Sequence, residues 1–323
     1  MTSSKLPTFY VQFFFVFVGF IFALLAQSGF YGFGKDFYFH YSKPNWFYGN
    51  LWDRLGFFIA TLTIYEVKLG IFFTSLSMAL GVNKLILSQF KTDTINKFLV
   101  VGLIYIIILH TWPIIMGTSN AMRQGIAMGL MFYTLALLEK GKKKKAVLTG
   151  ALLVISHKSS IIFISLLFAV HLITKFGKSW PRLVKIIFFL TAGVSVGIAV
   201  KFAMPTSNFY SVGADLRLPL TIIGFIYIVM FLIMGSSSVY LAGFLVSFVF
   251  CASTLLIFGY NWQVERLWMM VLIIMIIEVC LHFKGKQKVL CFLSASILFL
   301  ALTFGAGNYK SLAYYGKLYK ESQ

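Results

Sequence analysis

Acidic side chains are scarce. Nine Asp and Glu stand against 28 Lys and Arg in 323 residues, and charged residues of all kinds make up only 11%. With so little charge, no stretch is polar enough to form a soluble domain. Cysteine is sparse too. Cys251, Cys280 and Cys291 each lie inside an apolar run, which excludes a disulfide framework and a thiolate metal site. The outer carboxylates Asp36, Asp53, Glu66, Asp215 and Glu265 are scattered singly, so no paired-acid motif can hold Mg²⁺. The chain has no Gly-rich phosphate loop, which argues against a soluble nucleotide donor. No metal and no cofactor are expected.

What the chain does have is apolar surface. Hydrophobic residues make up 59% and aromatics 18%, with a mean hydropathy of +0.88. Apolar runs of about 20 residues recur from end to end, as transmembrane helices require. The fold class expected is an all-α integral membrane protein, a single polytopic domain over residues 1–323. Spans are expected at roughly 9–26, 68–87, 98–116, 121–138, 146–157, 159–174, 184–203, 218–234, 239–258, 267–283 and 289–305, about eleven segments. The first run follows only Lys5 and resembles a signal peptide, but with so many later spans an uncleaved first helix is expected.

A net charge of +19 would suggest a nucleic-acid partner in a soluble protein. Here most lysines fall in short loops: Lys84, Lys91 and Lys97; Lys140 with Lys142 to Lys145; Lys175 to Lys185; Lys284 to Lys288. Topogenesis explains them, and no nucleic acid is expected. Placing these loops inside puts the N-terminus in the cytoplasm. Residues 27–67 then form a long outer loop with eleven aromatics between Phe30 and Trp52. They suit either an interfacial aromatic belt or sugar stacking. Residues 306–323, with four tyrosines and three lysines from Asn308 onward, read as an amphipathic tail along the interface.

In this topology four cations open spans from the outer side: Arg123, Lys158, Arg217 and Arg266. A cation there meets the positive end of the helix dipole and violates the positive-inside rule. An anion would offset both. At Gly117-Thr-Ser-Asn-Ala-Met-Arg123-Gln124, Asn120 is expected to cap the helix, leaving Arg123 in its first turn. Guanidinium and helix N–H groups together suit phosphate, while a snorkelling Arg is the bland alternative. At Ser156-His157-Lys158-Ser159-Ser160, about twelve residues separate Lys145 from His157. At ~1.5 Å each this falls well short of a ~30 Å hydrocarbon core. His157 is therefore expected to sit below the outer surface as a candidate general base, with Ser159 or Ser160 capping the next helix. A polar kink satisfied by neighbours is the alternative. One long helix over 146–174 would also fit the hydropathy, but it would bury a His-Lys pair in mid-bilayer, so a break is expected. Asp215 before Arg217, with Pro219 in the first turn, and Glu265 before Arg266 also read as helix starts, where a local ion pair is the simpler use of the acid. His110 and His171 read as packing or interfacial residues.

The order of these motifs resembles the EpsG-like branch of the Wzy-type polysaccharide polymerases. Arg123-Gln124-Gly-Ile-Ala127 is similar to their Arg-Gln-x-x-Ala helix start. Ser-His157-Lys-Ser-Ser160 is similar to their His-x-Ser break. Gly34-Lys-Asp36 followed by Tyr38 and Tyr41, and Tyr65-Glu66, resemble their Gly-x-Asp and Tyr-Glu elements. The match covers roughly residues 30–175 in order, and beyond that mainly hydropathy and outer-face arginines. It departs at Lys43-Pro44-Asn45 and in the basic tail. The resemblance implies a GT-C-type glycosyltransferase of a bacterial inner membrane, working at the periplasmic face. Its partners would be undecaprenyl-pyrophosphate-linked oligosaccharides as donor and acceptor, with a chain-length regulator as a further partner. On this reading Arg123, Lys158, Arg217 and Arg266 bind pyrophosphate and His157 is the base. Asp36, Glu66 and Gln124 bind sugar, or one of the acids is an alternative base. A flippase for lipid-linked sugars, an O-antigen ligase and a membrane acyltransferase are the other classes with a use for outer-face cations.

Overall fold

The computed structural model describes residues 7–33, 37, 55, 58–59, 68–119, 121–204, 217–234 and 238–282. Among these, regular structure is helical and no strand occurs. In chain order the helices are α1 Thr8–Gln27, α2 Leu69–Gln89, α3 Ile95–Leu109, α4 Trp112–Ser119, α5 Met122–Glu139 and α6 Lys143–Val154. They continue with α7 Ser160–Phe176, α8 Arg182–Ala203, α9 Arg217–Met234, α10 Val239–Ile257 and α11 Asn261–His282. Four of them, α1, α2, α8 and α10, are long and apolar enough to cross a membrane, and α3 with α4 makes a fifth as a bent pair. The chain is a membrane-embedded, all-helical protein. The expected span at 289–305, the tail and most of the first loop lie outside the described residues.

Three expected boundaries move, each for a local reason. The span expected at 98–116 is broken into α3 and α4, which meet at 52°. Pro113 has no N–H for the Leu109 carbonyl, and its ring crowds that turn. The freed end is closed locally, with the Thr111 hydroxyl donating to the Ile108 carbonyl at 2.7 Å. At its other end α3 is capped by Thr94, which accepts from the Lys97 N–H at 3.4 Å. The exposed Asp93–Lys97 pair (2.8 Å) adds little there, although the Lys97 hydrogen bond lowers the Asp93 carboxyl below its ordinary pKa. Secondly, α5 starts with Ala121 at the cap position and no side-chain cap, one residue past the expected Asn120, which lies outside the described residues. Thirdly, α11 begins at Asn261 rather than near Leu267. The Val264 N–H already donates to the Tyr260 carbonyl at 3.1 Å, so Glu265 and Arg266 belong to the helix instead of preceding it.

The helix expected to break near His157 is interrupted there. α6 ends at Val154 and α7 begins at Ser160. The intervening turn satisfies its own backbone: Ser156 N–H donates to the Leu153 carbonyl at 3.1 Å and Ser160 N–H to the His157 carbonyl at 2.9 Å.

The chain divides into two compact units, residues 1–160 with 291–323, and residues 161–290. In the first, α5 is the buried centre, with thirteen of its 18 residues out of solvent. It packs chiefly on α2, and the two run the same way, since Thr74 faces Gly125 while Ser77 and Gly81 face Gly129. A Cβ at Gly129 would lie 2.5 Å from the Ser77 carbonyl oxygen. Such backbone approach is what a Gly-x-x-x-Gly stripe, here Gly125 to Gly129, permits in lipid. α1 turns Phe15 and Phe22 inward and leaves Phe9, Phe13 and Phe17 exposed, a lipid-facing stripe. Lys84, Lys140 and Lys142 gather at the far end of α5. There partial burial, then the charges of Lys84 and Lys142, lower the Lys140 ammonium from its ordinary pKa.

The second unit repeats the same packing device. Gly193 and Gly197 of α8 lie against Ser247, Cys251 and Thr254 of α10, again in parallel. α7 runs antiparallel to α10: Phe163 stacks on Phe248 at 6.2 Å, and His171 Nδ1 meets the Tyr240 hydroxyl at 3.0 Å. Trp268 of α11, fully buried, meets Phe248 edge-on at 4.9 Å.

Gly129→Val should push α2 and α5 apart and cost about 1–3 kcal/mol, read as a lower thermal midpoint in detergent. Leu99→Ala, on the exposed side of α3, should leave the midpoint unchanged. Equal effects would mean that the glycine contact is not what holds this pair.

Candidate functional site

The residues singled out by sequence fall in three groups. Asp36, Glu66 and Asp215 lie outside the described residues. Arg123, Gln124, His157 and Lys158 belong to the first unit, Arg217 and Arg266 to the second. Arg217 is the first helical residue of α9, with Pro219 in that turn. Arg266 is half-buried in the second turn of α11.

Within the first unit, helix directions put Arg123 and His157 at one end. α5 and α6 form an antiparallel hairpin closed at Gly141, whose φ of +67° suits glycine. Its two arms are joined by the Thr134 hydroxyl donating to Thr149 Oγ1 at 2.9 Å. α5 carries Arg123 at the open end. α6 climbs from the lysine end back toward it, but it is shorter. Twelve residues rise ~18 Å against ~27 Å for the eighteen of α5. The turn at 155–159 is therefore recessed by about 9 Å from the start of α5. His157 and Ser159 are half-buried in it and Lys158 is exposed.

The described residues of the segment after α1 are bonded to this end. The Leu55 N–H donates to the Ile155 carbonyl at 3.1 Å, tying residue 55 to the recessed turn. The Ser119 hydroxyl donates to the Gly32 carbonyl at 3.3 Å, tying the same segment to the start of α5. The Tyr31 hydroxyl donates to His110 Nε2 at 3.1 Å, since His110 Nδ1–H is committed to the Ile106 carbonyl at 2.8 Å. The Lys68 ammonium lies 4.1 Å over the Phe33 ring, and Phe33 stacks on Phe37 at 4.7 Å. This loop begins as a packed aromatic wall. His110, read from sequence as packing or interfacial, is one of its anchors.

Arg123 is half-buried with its Nε enclosed, Gln124 beside it is buried, and Thr74 of α2 lies against Gly125 in the same turn of α5. A half-buried guanidinium in the first turn of a helix suits an anion. In the turn, two donors meet one nitrogen of His157. The Ser159 backbone N–H donates to Nδ1 at 3.2 Å, and Ser159 Oγ lies 2.6 Å from the same atom. A backbone N–H can only donate, so Nδ1 carries the lone pair, Ser159 O–H points at it, and the neutral ring holds its proton on Nε2.

The sequence reading passed over Glu278. It is fully buried in α11, beside Tyr227 of α9. The signal was there, an acid inside the apolar run from Leu267 to Leu281, where an ionisable residue calls for a partner. Among the described residues, no group of three or more His, Cys, Asp or Glu is placed to hold a metal.

Compared with known proteins, the chain matches no family model, no curated protein and no solved structure.

Two outcomes test these placements. In a background with the native cysteines replaced by alanine, Lys158→Cys should react with an impermeant maleimide from one side of the membrane. Lys143→Cys should react only from the other, and labelling of both from the same side contradicts the α5–α6 geometry. Tyr227→Phe and Glu278→Gln should lower the thermal midpoint non-additively, with a coupling of about 1 kcal/mol.

Proposed function

We propose that the chain is a polysaccharide polymerase of the Wzy type: a bacterial cytoplasmic-membrane glycosyltransferase with a GT-C-type helical fold and about eleven spans. It would join oligosaccharide repeat units carried on undecaprenyl pyrophosphate at the periplasmic face, the growing chain as donor and a single lipid-linked unit as acceptor. The observation that carries this reading is the recessed turn at 155–159. It sets a half-buried histidine below the Arg123 helix start, in a turn that is bonded to Leu55.

The chemistry follows from those groups. A sugar hydroxyl is a poor nucleophile until its proton leaves, and His157 is the acceptor for that proton. The acceptor oxygen then attacks the donor's anomeric carbon in one inverting step, and the bond to the lipid pyrophosphate breaks with its electron pair. Charge accumulates on the leaving phosphate. Arg123 and the α5 N-terminus stabilise it, assisted by Lys158. Arg217 and Arg266 are assigned to pyrophosphate, and Asp36, Glu66 and Gln124 to sugar hydroxyls, on the sequence pattern alone. A chain-length regulator is an expected partner.

Buried Glu278 favours a second reading, transport of the same lipid-linked sugars, since transporters place ionisable groups inside the membrane. Purified protein given only lipid-linked repeat units separates the two. A ladder of longer lipid-linked glycans is expected for the polymerase, transfer to lipid A core would mean a ligase, and no covalent change would favour transport. Arg123→Lys should lose on the order of tenfold or more in rate, because an ammonium cannot make the bidentate contact. A near-silent Arg123→Lys would remove Arg123 from the phosphate site. Long chains in vivo with His157→Ala, at wild-type protein levels, would remove His157 from the chemistry.

A further inference from the structure

We propose that Ser159 is the proton relay of this site: its hydroxyl takes the proton of the acceptor sugar hydroxyl while passing its own to His157 Nδ1. This inference rests on the polymerase reading above. The geometry of the turn points to it. Nδ1 is the basic nitrogen of the neutral ring, and two groups of Ser159 meet it: the backbone N–H at 3.2 Å and the hydroxyl oxygen at 2.6 Å. A sugar hydroxyl has no direct approach to that lone pair. Nε2 carries the ring proton and can only donate. If His157 is to collect a proton, the path that fits runs through Ser159 Oγ.

The step balances without any other reagent. The acceptor O–H bond breaks as its proton joins Ser159 Oγ. The Ser159 O–H bond breaks as its proton joins Nδ1, giving an imidazolium with both nitrogens protonated. Ser159 ends as it began, a neutral hydroxyl. The acceptor oxygen forms the new glycosidic bond, and the pyrophosphate departs with the electron pair of the bond it loses. The imidazolium sheds its proton before the next cycle. Ser159 is half-buried rather than sealed, so a sugar hydroxyl can reach it, while Ser160, the first residue of α7, is buried.

Ser159 also sits where α7 needs a cap, so Ser159→Ala alone confounds chemistry with folding. Three companions separate them. Ser159→Asn keeps a good cap and a donor to Nδ1 but cannot pass a proton on. Ser159→Thr keeps both cap and hydroxyl. His157→Gln keeps a donor in the place of Nε2–H and removes the base. With purified protein and lipid-linked repeat units, kcat should fall on the order of 100-fold in Ser159→Ala, Ser159→Asn and His157→Gln, with KM little changed. Ser159→Thr should recover most of the rate, and Ser159→Asn combined with His157→Gln should be no slower than either alone. Wild-type kcat in Ser159→Asn overturns the relay, as does full activity in His157→Gln, which would leave the ring as a donor only. A wild-type protein that builds no ladder overturns the polymerase reading itself, whereas a wild-type ladder with unaffected Ser159 variants overturns the relay alone.

Discussion

A helix cannot stop inside a membrane protein unless its backbone groups find partners, because hydrocarbon offers none. The turn at 155–159 meets that condition with groups drawn from three places. The Ile155 carbonyl takes the Leu55 N–H from the loop after α1, and the His157 carbonyl takes the Ser160 N–H from the next helix. The Ser159 N–H goes to an imidazole, and the Ser156 hydroxyl folds back on the Leu152 carbonyl at 2.6 Å. Everything assigned to the site depends on this local closure. The broken helix holds His157 below the start of α5, and the Leu55 N–H is bonded to the same turn.

Small residues make the recess possible. α2 and α5 touch backbone to backbone at Gly81 and Gly129, and Gly125 meets the Gly117 backbone of α4, so α5 can be buried almost all round while still presenting a polar first turn. A guanidinium there is held by a rigid element, and rigidity is what lets a cation discriminate a phosphate by geometry instead of by charge. The lysines at the opposite end are of another kind. Lys84, Lys140 and Lys142 repel one another at a partly exposed hairpin, as expected of charges that orient a chain in a bilayer.

Much of this was legible in the sequence because hydropathy and helix breakers act locally. The apolar runs gave most helices to within a few residues, and the polar string Ser156-His157-Lys158-Ser159-Ser160 marked the interruption. What was missed depends on neighbours distant in sequence. The bend at Pro113 changes the direction of a run long enough to read as one span. The Gly125–Gly129 and Gly193–Gly197 stripes are visible in the sequence, but their partners, Ser77 and Gly81 in one unit and Ser247 and Cys251 in the other, are not. Glu265 and Arg266 were expected to precede the span at 267–283, yet they lie inside α11, which begins at Asn261. The orientation of His157 was the furthest from reach. Residue type alone makes histidine a base, whereas the Ser159 N–H decides which nitrogen is free to act.

Polar groups in the described part of the chain are not spread evenly, and their distribution separates structure from chemistry. Several hydroxyls bond a carbonyl of the preceding turn: Thr111 to Ile108, Thr118 to Ile115, Ser253 to Val249. Such bonds satisfy the group and leave nothing for a ligand. The hydroxyl of Ser159 is spent on the one side chain beside it that can accept a proton. Folding alone would be served as well by a bond to a carbonyl, as Ser156 shows three residues earlier in the same turn. Packing does not require a serine to face an imidazole, half-open to solvent, at the bottom of a recess. Chemistry on a hydroxyl substrate does, and that contrast within five residues is why the turn, rather than the larger buried surfaces around it, carries the functional reading.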